Sequence, residues 1–502
     1  MNNKSTSLPT SWDKINWQLV EKCVNGYRTR IFLAKKSGDM HTLRKTQYRV
    51  AKSKMVLLEA MRRVTFIKKE NVTPGLDRLI YLRPEERWSL FQKLLKLNID
   101  KYTPPSACRI YIVKPNRKLC PLRIPIIQDC ILQFVIKTAL EPEWEAIVEY
   151  GSYSFRPARS CHDALLRTYK ILSHKRRCYV LKSDIKGCFG NISHEVLLKR
   201  IGDFPWGSLI AKWLKAGYME EGILYDTDIG TPQRVIIRPL LLNIALHGME
   251  NTLGIKYHKG AYVRGECKFV LLRYADDFIV FCDSLQEAEE AKKILINYLL
   301  SIGLKLSQDK ILITDVKKGF DFLGWTFRLF EDKQKKSGMI TLVKPSKKAI
   351  VKFKQSLRKR WRNSLSEPIS ETIRKLNSLI VGWCNYHRYA NSSYIFRWFT
   401  HFNYLQAVRL IKRKHPNKSW QWLCDTYFTT VNGERWVFFD RVTGIQLVRP
   451  RNYKILDYIP VKYTMCPDVP DKSVQEYFQK RKLNLTESKL AGNKRRLQMV
   501  RW

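Results

Sequence analysis

The stretch LLRYADDFIVFC, residues 271–282, constrains the fold more than any other part of the chain. Two carboxylates, Asp276 and Asp277, sit side by side between two apolar runs rich in strand formers. Such runs around a polar pair predict a β-hairpin with the acids at its tip. Adjacent aspartates repel, so a fold that fixes them needs positive charge close by. A pair of Asp in a turn is commonly nothing more than a turn. The apolar strands on both sides set this one apart, because they tie it to a core.

Residues 178–186 (CYVLKSDIK) read as a short buried strand that ends on Asp184. Three carboxylates at strand ends, Asp184, Asp276 and Asp277, suit two Mg2+ ions about 3.5–4 Å apart, whose charge cancels the repulsion. One ion would activate a 3′-hydroxyl and the other would hold the triphosphate of an incoming nucleotide. After the hairpin, Ser284 with Glu287 forms a capping-box pattern. Ala288, Ala291, Leu295, Tyr298, Leu299 and Ile302 then recur at helical spacing, and Gly303 closes the helix. Strand, acidic hairpin and amphipathic helix on one sheet describe an α+β core. Upstream, residues 105–125 predict another hairpin with its turn at Pro115-Asn116. Residues 1–70 read as helical, with basic and apolar positions interleaved.

The charge balance points to the partner. Ninety-one Lys and Arg against 45 Asp and Glu leave a net charge of +46, far more than solubility requires. An excess of that size repels itself unless a polyanion neutralises it, and nucleic acid is the usual polyanion. No stretch approaches the 18 or so uncharged apolar residues of a membrane helix, and MNNKSTSLPTSWDKINW lacks a signal-peptide core. Twelve scattered cysteines, none spaced as CxxC, argue against a zinc site and fit reduced thiols inside a cell. Residues 344–362 (KPSKKAIVKFKQSLRKRWR) carry nine Lys or Arg in 19 positions. Ile350, Phe353, Leu357 and Trp361 make one apolar stripe of a helix there, and the basic residues cover the rest. A solvated face is the plain reading of such a run. In this chain phosphate binding by Lys347, Lys348, Arg358 and Arg360 is the better one, joined by Arg413 and Lys414 in a later basic and aromatic helix.

Over nearly its whole length the sequence resembles group II intron-encoded reverse transcriptase–maturases of bacterial or organellar type. YADD (274–277) resembles their catalytic hairpin, SYSFRPARSCHDAL (152–165) a finger–palm segment, and SDIKGCFGNISHEVLL the strand bearing the first metal ligand. TPQ (231–233), GLKLSQDK (303–310) and FDFLGW (320–325) match later polymerase blocks, and GWCNYHRY and RKHPNKSWQW resemble the maturase region. The resemblance implies an α+β right-hand polymerase, fingers and palm over 71–330, followed by a helical thumb-like maturase domain over 340–450. Residues 1–70 would be a helical RNA-binding extension, and 451–502 a basic remnant of a DNA-binding region. It also implies that Phe189 excludes a 2′-hydroxyl and that Gln233 and Lys310 lie at the nucleotide. FDFLGW alone reads equally as core packing, and His387 as a structural histidine.

The departures fall on the nucleotide pocket. The family has an arginine before Pro-Leu in the finger hairpin and a glycine after; here stand Cys120 and Arg123, which leaves Arg117 and Lys118 as candidate replacements. Arg234, Val235 and Arg238 replace two glycines and a serine, Gly190 replaces an aspartate, and Arg78 a glycine. One lost phosphate contact costs about 10²–10³ in rate. With His415 the last histidine and Cys466 alone in the tail, the family's HNH endonuclease module is expected to be missing. The expected function is therefore a maturase that binds its intron RNA and promotes splicing. The alternative is an active RNA-directed DNA polymerase that uses two Mg2+, dNTPs and a DNA target. A cyanobacterial cytoplasm or a plastid stroma fits the resemblance.

Overall fold

A computed structural model describes residues 11–67, 74–113, 119–174, 177–220, 223–225, 236–258, 261–262, 267–334, 338–462 and 465–497. They form two compact units. One comprises Met1–Ser160, Leu181–Ile313 and Lys462–Gln475; the other Cys161–Val180, Thr314–Val461 and Glu476–Trp502.

The first unit begins with three helices, Trp17–Ser37, Met40–Ala51 and Lys54–Met61. Each has a side chain that caps its first turn: Asn16, Asp39 and Ser53 accept from Leu19 N, Thr42 N and Val56 N. They pack on the helix Ile127–Glu145, which is buried along most of its length. Buried carboxylates on that helix are tolerated only because they are paired. Glu143 accepts from Lys35, Arg44 and Gln47 at 2.7–3.0 Å, and Arg28 joins Glu141 at 2.8 Å to Asp468 at 2.7 Å. Several cations of the N-terminal stretch thus serve the core.

The two strands of the predicted upstream hairpin form, Ala107–Val113 antiparallel to Leu119–Ile124, while its expected turn at Pro115-Asn116 lies outside the described residues. Pro121 sits on the edge strand of its sheet, where a missing N–H is tolerated. A second sheet runs in the order Leu312–Asp315, Tyr179–Asp184, Asp277–Cys282, Val270–Tyr274. Its last two strands are apolar nearly throughout because both faces are covered, so they show no alternation. The helix Leu285–Ser301 follows as predicted. Ser284 Oγ accepts from Glu287 N at 3.2 Å, and Gly303 adopts the left-handed conformation (φ 77°) that ends the helix.

The second unit joins a three-stranded antiparallel sheet, Phe320–Phe322, Trp325–Glu331 and Met339–Pro345, to the helices Lys347–Arg362, Ile369–His387, Ser393–Lys414 and Trp420–Tyr427. FDFLGW is core here: Phe320, Phe322 and Trp325 are buried. His387 is buried too, and desolvation holds its imidazole down at about 3, a neutral structural residue. A hairpin, Phe428–Val431 and Glu434–Phe438, turns on Asn432 and Gly433, both at positive φ. Further on, Arg481 clasps buried Asp163 at 2.9 Å and donates to Tyr458.

Candidate active site

The acidic tip is built from behind. Val270–Tyr274 and Asp277–Cys282 pair with Tyr274 opposite Asp277, so Ala275 and Asp276 make the turn. Ala275 lies at φ 60°, a left-handed conformation that its surroundings must impose. Ser154 Oγ accepts from Ala275 N at 2.6 Å. Arg273, fully buried, donates to Ser152 Oγ at 2.9 Å, to Asn243 Oδ1 at 3.1 Å and to Ala275 O at 3.4 Å. Asn243 in turn donates to Ser154 O at 2.9 Å. Burial lowers the Arg273 pKa, and the Glu149 carboxylate is the largest influence against it. A Cβ on Gly151 would stand 2.3 Å from Leu271 O, so only glycine lets this segment lie against the strand.

Asp184 ends the neighbouring strand. Ile185 N donates to Asp276 O at 3.3 Å and Ser307 N to Asp184 O at 2.9 Å, which draws the two strand ends and the GLKLSQDK segment together. Lys310 places its ammonium on Asp184 Oδ2. That hydrogen bond raises the Lys310 pKa. Burial first, and Asp184 after it, raise the pKa of Asp276 and of Asp277; Asp276 adds to the rise at Asp277. Cys188, buried beneath, is pushed up to about 12 by burial and then by Asp276, and is no nucleophile.

Carboxylate oxygens are the donors Mg2+ takes, and at Asp276 and Asp277 burial, with neighbouring carboxylates second, disfavours the charged form. Lys310 already holds Asp184, and among the described residues no group of three or more His, Cys, Asp or Glu is set to hold a metal ion.

The expected nucleotide residues divide. Phe189 is present on the short helix Cys188–Asn191, and Arg238 lays its guanidinium over that ring, 4.1 Å from the centroid. Arg238 also opposes part of the rise in the Asp276 pKa. Gln233, Arg117 and Lys118, with Arg234 and Val235, lie outside the described residues. Arg78 keeps a glycine-like φ of 53°. Motif spacing missed Ser152, Ser154, Asn243 and Arg273; the available signal was a charged residue inside the apolar run LLRY.

In the second unit the helix Lys347–Arg362 buries Phe353, Leu357 and Trp361 and exposes Lys347, Lys348 and Arg358. Arg360 is tied to Glu367 instead. Lys414 likewise donates to Glu367 O at 2.8 Å, while its neighbour Arg413 is exposed. Cations lie beside aromatic faces: half-buried Lys354 over Trp398 at 4.9 Å, and exposed Lys412 over Trp420 at 5.4 Å and Lys418 over Trp422 at 5.2 Å.

Three family models match the chain in order. The N-terminal domain of reverse transcriptase covers residues 12–94, reverse transcriptase (RNA-dependent DNA polymerase) covers 112–327, and the group II intron maturase-specific domain covers 350–428. Protein YkfC of Escherichia coli is 33% identical over 296 residues, 52% of this chain and 77% of that protein. The group II intron-encoded protein LtrA of Lactococcus lactis is 30% identical over 397 residues, 62% of this chain and 66% of LtrA. Maturase-like protein 1 of Euglena gracilis is 26% identical over 385 residues, 75% of this chain and 77% of that protein.

Proposed function

The chain belongs to the group II intron-encoded reverse transcriptase–maturase family, with its right-hand polymerase fold, and on that footing we propose that it acts chiefly as a maturase. It binds a group II intron RNA and promotes splicing, while the RNA performs the transesterifications. One observation carries the preference for this reading over polymerisation: Arg238 covers the face of Phe189, where an incoming nucleotide's sugar would have to lie. Exposed Lys347, Lys348, Arg358 and Arg413 supply phosphate contacts in the second unit. Among the described residues no helix is long and apolar enough to cross a membrane.

Retention of Asp184, Asp276 and Asp277 favours the second reading, an RNA-directed DNA polymerase that uses dNTPs. Reverse transcriptases generally work with Mg2+, which neutralises charge at the reacting phosphate. The two readings part at the acidic turn. Under the maturase reading, Asp276→Ala with Asp277→Ala leaves splicing of the host intron at low Mg2+ within about twofold, because protein carboxylates take no part in RNA-held metal chemistry. In vitro splicing of the precursor RNA measures it. Loss of splicing in that variant would refute the maturase reading as stated.

A further inference from the structure

We propose that the second unit carries a cleft that takes one unstacked nucleotide of the bound RNA, its base as well as its phosphate. The proposal rests on the RNA-binding reading above and adds a built site to it. The cleft has a volume of about 460 Å³ and opens between the helix Ser393–Lys414, the strand Glu434–Phe438 and residues 447–451. That volume falls within the roughly 300–1,000 Å³ of small-molecule sites. One nucleotide fills such a space, whereas a duplex cannot enter it. The maturase-specific match ends at residue 428, so the second wall lies beyond it.

Three features of the lining select the ligand. The first is charge. Arg397, Arg435, Arg449 and Arg451 all line the cleft. Glu434 is already shared by Arg449 at 3.2 Å and Arg451 at 3.0 Å. Among the described residues neither Arg397 nor Arg435 has an ion-pair partner, so the cleft keeps two guanidinium groups for an anion.

The second feature is an orphan donor. Asn403 lines the cleft and is 2% exposed. Its Oδ1 accepts from Trp361 Nε1 at 3.1 Å, and an indole N–H only donates, so the amide orientation is fixed. Nδ2 is then left buried without a partner. A buried donor is costly when unpaired, and a base carbonyl or ring nitrogen supplies the acceptor it lacks.

The third feature is the stacking surface. Thr429 pairs with Val437 but Val431 with Glu434, so Arg435 and Trp436 together oppose Thr430 as a bulge. Trp436 takes φ 63°, which a bulky residue holds only where its surroundings impose it, and the residue is 46% exposed. Tyr404 stands nearly perpendicular to it at 6.4 Å. Flat aromatic faces beside arginines are how proteins hold single-stranded bases. An acidic peptide would use the arginines and leave Trp436 and Asn403 without a role.

The test uses the full chain with a fluorescent single-stranded RNA octamer and an RNA duplex of equal length, at one salt concentration. Trp436→Ala should weaken octamer binding about tenfold and leave duplex binding unchanged, with melting temperature preserved because the residue is half exposed. Trp436→Phe should restore most of the affinity. Adenosine 5′-monophosphate should displace the octamer at lower concentration than inorganic phosphate does. If Trp436→Ala and Arg435→Glu bind the octamer like the unaltered chain, while Lys347→Glu with Lys348→Glu and Arg358→Glu lose it, RNA binding stands and the cleft is refuted. If the unaltered chain binds neither octamer nor intron RNA, both readings fall together. Equal displacement by phosphate, or by an Asp/Glu-rich peptide, overturns the nucleotide assignment in favour of a plain anion site.

Discussion

A guanidinium laid over an aromatic face, as Arg238 lies over Phe189, is worth about 0.5–2 kcal/mol once partly desolvated. Under the proposed maturase reading, an incoming nucleotide would have to displace it, and the motif departures at Cys120, Arg123, Arg234 and Val235 add to the obstacle. Restoring Cys120→Arg, Arg234→Gly, Val235→Gly and Arg238→Ser together should raise primer extension on an RNA template by about tenfold or more, given what single phosphate contacts contribute. Fast extension by the unaltered chain would show that Arg238 yields freely. Asp129 offers a residue-scale test of stability. It accepts from Tyr102 at 2.7 Å and Trp213 at 3.2 Å, yet burial raises it from its ordinary 3.8 to about 6. Between those values the folded chain holds a proton that the unfolded chain has released, so stability falls as pH rises from about 4 to about 6. At roughly 1.4 kcal/mol per unit, the loss approaches 3 kcal/mol. Asp129→Asn should flatten that part of the curve of melting temperature against pH.

Helices decide which cations are free to meet phosphate. On Lys347–Arg362 the buried stripe leaves Lys347, Lys348 and Arg358 outward, while Arg360 and, from the helix Ser393–Lys414, Lys414 close on Glu367. Charge reversal at the first three should reduce the slope of log affinity against log salt by about 0.7–0.9 per lost phosphate contact. Lys414→Glu should instead lower the melting temperature, and Arg413→Glu should leave it unchanged while impairing splicing. Equal effects of these last two on melting temperature would remove the distinction. Helix periodicity could identify the apolar stripe, but not that Glu367 claims two of the six expected cations, because that depends on how separate helices pack. The acidic hairpin, the strand ending at Asp184 and the capped helix Leu285–Ser301 were legible because each is local: a run, a turn, a cap. Ser152, Ser154 and Asn243 were not, since nothing in their own neighbourhoods relates them to a turn far along the chain. The placement of Lys310 on Asp184 escaped spacing arguments for the same reason.

Across the whole molecule, long-range ties recur in each unit: Arg28 reaches Asp468 in the first, and Asp163 meets Arg481 in the second. Each makes a late stretch of sequence part of an early core, so removal of the residues after 460 should cost stability as well as charge. The tie at the acidic turn has a further consequence, in the order of events during folding. Ser154 and Ala275 stand 121 residues apart. Closing a loop of that length costs about 4 kcal/mol of chain entropy before any contact repays it. The helix Leu285–Ser301, capped by its own residues, has no such debt. The hairpin strands can pair early, but the left-handed Ala275 waits for residues 152–154 to arrive, so the aspartates should acquire their geometry late. Pulse-labelled hydrogen exchange during refolding should protect the Ala275 amide after those of Leu295 and Leu299; simultaneous protection would mean that the turn forms unaided. On a ribosome, the segment carrying Asp184 would emerge while both of its sheet neighbours, Asp277–Cys282 and Leu312–Asp315, are still unmade. A nascent chain of this kind has no acidic site to misuse until most of its length exists.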